Sequence, residues 1–99
     1  MEFERAVRCS EPDCGEPATF KVAAPWSDGR FSELKTYGFA CSDHLKDVLR
    51  SAEARWLDYE PVPGEIVQEI GIYRYETGKS DRQLERDREV EERIRSWSP

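Results

Sequence analysis

The sequence predicts a small α+β domain: a β-hairpin followed by a helix, then an additional strand and a charged C-terminal helix. Three observations carry that expectation. Ala18, Phe20 and Val22 alternate with Thr19, Lys21 and Ala23, and Tyr37 and Phe39 lead in the same rhythm to Cys41, the two-residue period of half-buried strands. Leu45, Val48, Leu49, Ala52 and Trp56 recur at i, i+3, i+4, i+7 and i+11, the apolar stripe of a helix. All three cysteines and the only histidine fall into two close pairs, Cys9 with Cys14 and Cys41 with His44.

A chain of 99 residues with 37% hydrophobic and 36% charged residues supports one small core. Folding must offset about 1–2 kcal/mol of backbone entropy per ordered residue, so a cross-link is welcome in a chain this short. An odd number of cysteines and an N-terminus with no apolar run argue against a disulfide framework behind a signal peptide, and a reducing, cytoplasmic setting is expected. No run approaches the roughly 18 apolar residues that span a bilayer, so no membrane association is expected. The net charge of −6 lies entirely in residues 1–78, which carry nine basic and fifteen acidic side chains, against six of each in residues 79–99. Two regions are expected on that basis, a main domain over 1–78 and a charged helix over 79–99. The field of such a chain repels phosphate backbones, which disfavours nucleic acid as a partner.

Taken in order, Cys9-Ser-Glu-Pro-Asp-Cys14-Gly15-Glu-Pro17 is a tight turn, with proline fixing φ and glycine accommodating the reversal. The strand from Ala18 to Ala23 runs into a connection through Pro25, Ser27, Asp28 and Gly29, and the chain returns through Leu34 to Cys41. Ser42 is placed to cap the following helix and Asp43 to face its positive dipole end. Pro61-Val-Pro63-Gly64 stops that helix. Ile66, Ile70 and Ile72 on one side, with Val67, Tyr73 and Tyr75 on the other, suggest a third strand, either extending the hairpin sheet or standing apart from it. A thin amphipathic helix then follows over 79–97, with Val90, Ile94 and Trp97 as its stripe and Glu89/Arg93 and Glu91/Arg95 at the favourable i,i+4 spacing.

The cysteines and histidine read C-x4-C, a 26-residue interval, then C-x2-H, which uses every soft ligand in the chain. Thiolate and imidazole in two close pairs are what a tetrahedral structural zinc ion takes, because each pair costs little loop entropy and the intervening chain is pinned once. Three residues at a helix start come nearly full circle, which turns Cys41 and His44 toward one point. One structural Zn2+ held by Cys9, Cys14, Cys41 and His44 is therefore expected.

With those residues in place, the segment from Cys9 to about Tyr59 resembles the treble-clef group of zinc fingers. There a knuckle supplies two ligands, a hairpin follows, and the first turn of a helix supplies the other two. Cys9 to Gly15 matches the knuckle, with four residues between its cysteines where the group more often has two, and Cys41-Ser-Asp-His44 matches the helix turn. The resemblance implies a metal site and a fold and, because the group serves nucleases, ribosomal proteins and adaptors alike, no single function.

Four protein ligands leave zinc no open position for water, a zinc deaminase would need His-x-Glu with Cys-x-x-Cys, and the only histidine is already a ligand; no enzyme activity is expected. The leading expectation is a non-enzymatic module that binds protein. In it the C-terminal helix either serves a partner or a second copy of the chain, or packs back on its own third strand. A nucleic-acid or ribosome-associated finger is the alternative, with Arg5, Arg8, Lys21, Arg30 and Lys35 near the hairpin and Trp26 and Phe31 available to stack, set against seven acids in the same stretch. A third reading is a thiol redox sensor in which oxidation of Cys9 and Cys14 expels zinc.

Overall fold

The computed structural model describes residues 7–96. Strands β1 (Phe20–Ser27) and β2 (Ser32–Ala40) form the hairpin, α1 (Leu45–Asp58) follows, and two short strands, β3 (Ile66–Val67) and β4 (Gly71–Arg74), come next. A 3-10 turn over Asp81–Gln83, β5 (Glu85–Arg86) and α2 (Arg88–Ser96) complete the chain. The sheet is antiparallel, in the order β2-β1-β4-β5, with β3 also paired to β1. Residues 66–74 therefore extend the hairpin sheet. They do so as two strands, because the chain breaks between Val67 and Gly71 and so moves Ile66 and Ile72 to opposite faces.

On one face, Leu45, Val48, Leu49 and Ala52 of α1 pack against Val22, Ala24 and Ala40 with Ile70 and Ile72, as the helical stripe requires. Trp56 closes the stripe at its edge, donating from Nε1 to the Gln68 carbonyl at 3.1 Å. The cap differs from expectation. Ser42 to His44 form a turn, His44 occupies the N-cap without a side-chain cap bond, and the helix starts at Leu45. The His44 ring is turned to the cysteines instead.

β1 is the central strand and both of its faces are covered, so the half-buried pattern read from its sequence gives way to four consecutive buried residues, Lys21 to Ala24. Lys21 is only 6% exposed; its ammonium lies 2.6 Å from Asp81 and over the Phe39 ring. The strand also runs through Pro25, which the sequence suggested as part of the connection. Proline fits because Pro25 faces away from β2, where its carbonyl accepts the Gln68 N–H at 2.8 Å and no donor is needed.

The C-terminal helix is confined to Arg88–Ser96; residues 79–87, expected as its first turns, form the 3-10 turn and β5. Val90 and Ile94 pack against the core. Trp97, the third member of the expected stripe, lies outside the described residues. Glu91, expected on the polar face, is 4% exposed. Its Oε2 accepts the Ile72 N–H at 3.0 Å and Arg86 Nε at 2.8 Å, so the carboxylate continues the ladder of β4 just beyond the end of β5. Arg86 in turn lies flat over Gly71, where a Cβ would fall far inside contact distance of the guanidinium. Gly71→Ala is accordingly expected to cost about 1–3 kcal/mol, and clearly less in an Arg86→Ala background. Denaturant melts of the four proteins of that cycle would measure the coupling.

Candidate metal centre

The knuckle is built by the backbone. Arg8 bridges Pro17, the Cys9 N–H donates to the Glu16 carbonyl at 2.9 Å, and the Cys14 N–H donates to the Glu11 carbonyl at 3.2 Å. Reversing the chain in so few residues places Asp13 at φ 66° and Gly15 at φ 36°, left-handed angles that aspartate tolerates and glycine favours. The turn is then docked on β2. The Ser10 N–H donates to the Phe39 carbonyl at 2.8 Å, and the Phe39 N–H donates to Ser10 Oγ at 2.9 Å, so one residue satisfies both outward backbone groups of Phe39. The sequence offered no signal for that serine beyond its place in the turn.

The second ligand pair sits where β2 meets α1. Cys41 directly follows the last residue of β2, and the His44 N–H donates to the Cys41 carbonyl at 3.3 Å, closing the turn that points both side chains the same way. The Val48 N–H donates to the His44 carbonyl at 2.9 Å, so the cluster residue itself accepts the first hydrogen bond of the helix.

All four sequence-predicted ligands come together: the three Sγ atoms and a His44 ring nitrogen lie within 4.8 Å of one another. Cys14 Sγ is 3.7 Å from Cys41 Sγ, and His44 Nδ1 is 3.3 Å from Cys41 Sγ and 3.9 Å from Cys9 Sγ. A tetrahedron with zinc–sulfur bonds of about 2.3 Å has edges of about 3.8 Å, slightly less to nitrogen, so these spacings fit a single ion. None of the three cysteines is in a disulfide. Cys9 and Cys41 are buried, while Cys14 and His44 are half-buried.

Electrostatics point the same way. Burial opposes ionisation of Cys9, but the backbone N–H groups of Cys41 and Glu11 and the neighbouring thiols hold its thiol below the ordinary range. At Cys14 the Glu16 N–H favours the thiolate, yet desolvation and the proximity of Cys41 and Cys9 outweigh it and push the thiol up to about 11. Thiols this close cannot all ionise without a cation among them, and a divalent ion relieves that repulsion.

A second polar cluster, not read from the sequence, sits at the far end of the same face. Glu65 accepts hydrogen bonds from the Val62 N–H at 2.9 Å, the Tyr59 hydroxyl at 2.7 Å and Trp26 Nε1 at 2.7 Å, while Lys35 Nζ lies 3.3 Å from the centre of the Tyr59 ring. The backbone donor at Val62 chiefly holds the Glu65 carboxyl below the usual carboxylate range. The basic residues suggested for nucleic acid are engaged in different ways: Lys21 with Asp81, Lys35 over Tyr59, Arg8 with the Gly15 carbonyl and Arg30 over Phe31. Arg5 lies outside the described residues. Trp26 is partly covered, whereas Phe31 is 66% exposed.

Among the described residues, no helix is long and apolar enough to cross a membrane. Comparison with known proteins finds no matching family model, no similar curated protein and no similar solved structure.

Proposed function

We propose that this chain is a zinc-stapled, treble-clef-like interaction module in which one Zn2+ is structural and the partner is protein. The observation that carries the reading is the convergence of Cys9, Cys14, Cys41 and His44 within 4.8 Å. Three thiolates and an imidazole complete a tetrahedron and leave no position for a reacting water, so the ion holds structure instead of performing hydrolysis. What it holds is the junction of three elements: the knuckle, the end of β2 and the start of α1.

Protein is favoured over nucleic acid by charge and surface. The net charge is −6, and Lys21 is held by Asp81 within the domain. Large apolar side chains are exposed at Phe31, Leu57, Val62 and Ile66. Native mass spectrometry of the reduced, purified chain tests the metal reading. One zinc ion per chain is expected, lost together with the folded charge states on acidification; a folded chain without metal would defeat it.

A further inference from the structure

β2 is the edge strand of the sheet, and among the described residues only half of that edge is covered. At its Cys41 end, Ser10 takes both outward groups of Phe39, and the Arg55 guanidinium donates to the Tyr37 carbonyl. From Ser32 to Thr36 nothing among the described residues covers it. The orientation of that stretch follows from its neighbour: Pro25 faces away from β2, so Leu34, its partner in register, faces away from β1. Ser32 and Thr36, two residues to either side, present their N–H and C=O groups to the same open edge as Leu34.

We propose that this edge pairs with the same edge of a second copy of the chain, antiparallel and two-fold symmetric about Leu34. The sequence of the edge, Ser32-Glu-Leu-Lys-Thr36, is complementary to itself in that register. Leu34 exchanges both backbone bonds with Leu34 of the second copy, and Ser32 exchanges both with Thr36 of the second copy, twice over. Glu33 then lies opposite Lys35 of the second copy, and Lys35 opposite Glu33, on the face that carries α1. Lys35 is held on that face by the Tyr59 ring under its ammonium. On the other face Leu34 meets its counterpart. It lines an open groove of about 610 Å3 with Pro25, Ile66 and Tyr73, so the pairing joins the grooves of the two copies. Exposed strand edges are natural sites for such addition, and an isologous contact closes after two subunits.

The test is sedimentation of the full-length, zinc-loaded chain from about 10 μM to about 1 mM, with four variants. The wild-type chain is expected to associate to a dimer within that range. Leu34→Pro removes a donor that faces away from β1, so it should keep the melting temperature and zinc content of the wild type and remain monomeric throughout. Glu33→Lys and Lys35→Glu each set like charges opposite one another twice, and each should weaken the dimer at least about tenfold. The double variant Glu33→Lys/Lys35→Glu restores both pairs and should recover the wild-type association. A wild-type chain that stays monomeric at the highest concentration overturns the proposal, as does a dimer that survives Leu34→Pro or a double variant no better than the singles. Because Glu33 is exposed and touches none of the metal ligands, these results are separable from the presence or absence of zinc.

Discussion

Removing zinc with a strong chelator is expected to unfold the whole chain, not merely the knuckle, with loss of the far-ultraviolet helix signal and its recovery on adding one equivalent of zinc. The reason lies in where the ligands sit. Cys41 and His44 form the turn that sets the first residue of α1, and α1 contributes Leu45, Val48, Leu49 and Ala52 to the core. Beside them the largest fully buried side chains are only Val22, Ile70 and Ile72, each worth about 1.5–3 kcal/mol. Structural zinc contributes an apparent 10–16 kcal/mol or so in small zinc-dependent folds, about as much as the entire stability of a typical domain. Cys41→Ser should behave like the chelated protein. Circular dichroism of a chelated chain that kept its helix signal and melted within about 5 °C of the holo form would show that the sheet and α1 stand without the ion.

Glu91→Ala is expected to be the most damaging substitution away from the metal centre, at about 3–5 kcal/mol. It leaves Arg86, whose side chain is 17% exposed, without its carboxylate, and it leaves the Ile72 N–H without an acceptor. Arg95, 3.8 Å from Glu91 Oε1, is more exposed and contributes less. Equilibrium denaturation would measure the loss. Exchanging Glu91 and Arg86 together for apolar residues should recover much of it, since the pair must itself be desolvated. The same pair gives a pH signature. Burial alone would raise the Glu91 carboxyl, but the Arg86 guanidinium and the Ile72 N–H outweigh it and hold the group below the usual carboxylate range. The unfolded chain therefore takes up this proton at about pH 4.3, while the native chain resists until lower pH. The stabilisation is fully present above that ordinary value and disappears as pH falls through the native one. The stability gap between wild type and Glu91→Gln should thus close on the acid side, and a gap that stayed constant down to about pH 3 would contradict the assigned role.

The cluster of Cys9, Cys14, Cys41 and His44 and the helix α1 were legible because their determinants are local. A ligand pair within six residues must turn on itself whatever the rest of the chain does, and a period of 3.6 residues can be counted. The alternation in β1 identified a strand but not its place in the sheet. A half-buried strand would leave Lys21 on its polar side, but the structure makes β1 central, with Asp81 brought from sixty positions away to meet that lysine. The sequence reading joins residues 79–87 to a helix whose favourable charge pairs, Glu89/Arg93 and Glu91/Arg95, lie beyond them, while Asp81/Glu85 and Arg82/Arg86 set like charges at i,i+4. Pairing Arg86 with Tyr73 and bonding the Asp87 N–H to the Ile72 carbonyl satisfy the edge of β4 better than another helical turn would.

By itself the sequence determined which four side chains meet, that a hairpin and a helix join at them, and that the acidic excess lies before residue 79. These follow from spacing, period and count, which any conformation of the chain inherits. Only the tertiary structure decided the order β2-β1-β4-β5, the burial of Lys21 and Glu91, and the covering of one half of the β2 edge while the other stays open among the described residues. Each of these depends on which backbone donors and acceptors distant segments leave unsatisfied for one another, and local pattern does not encode that.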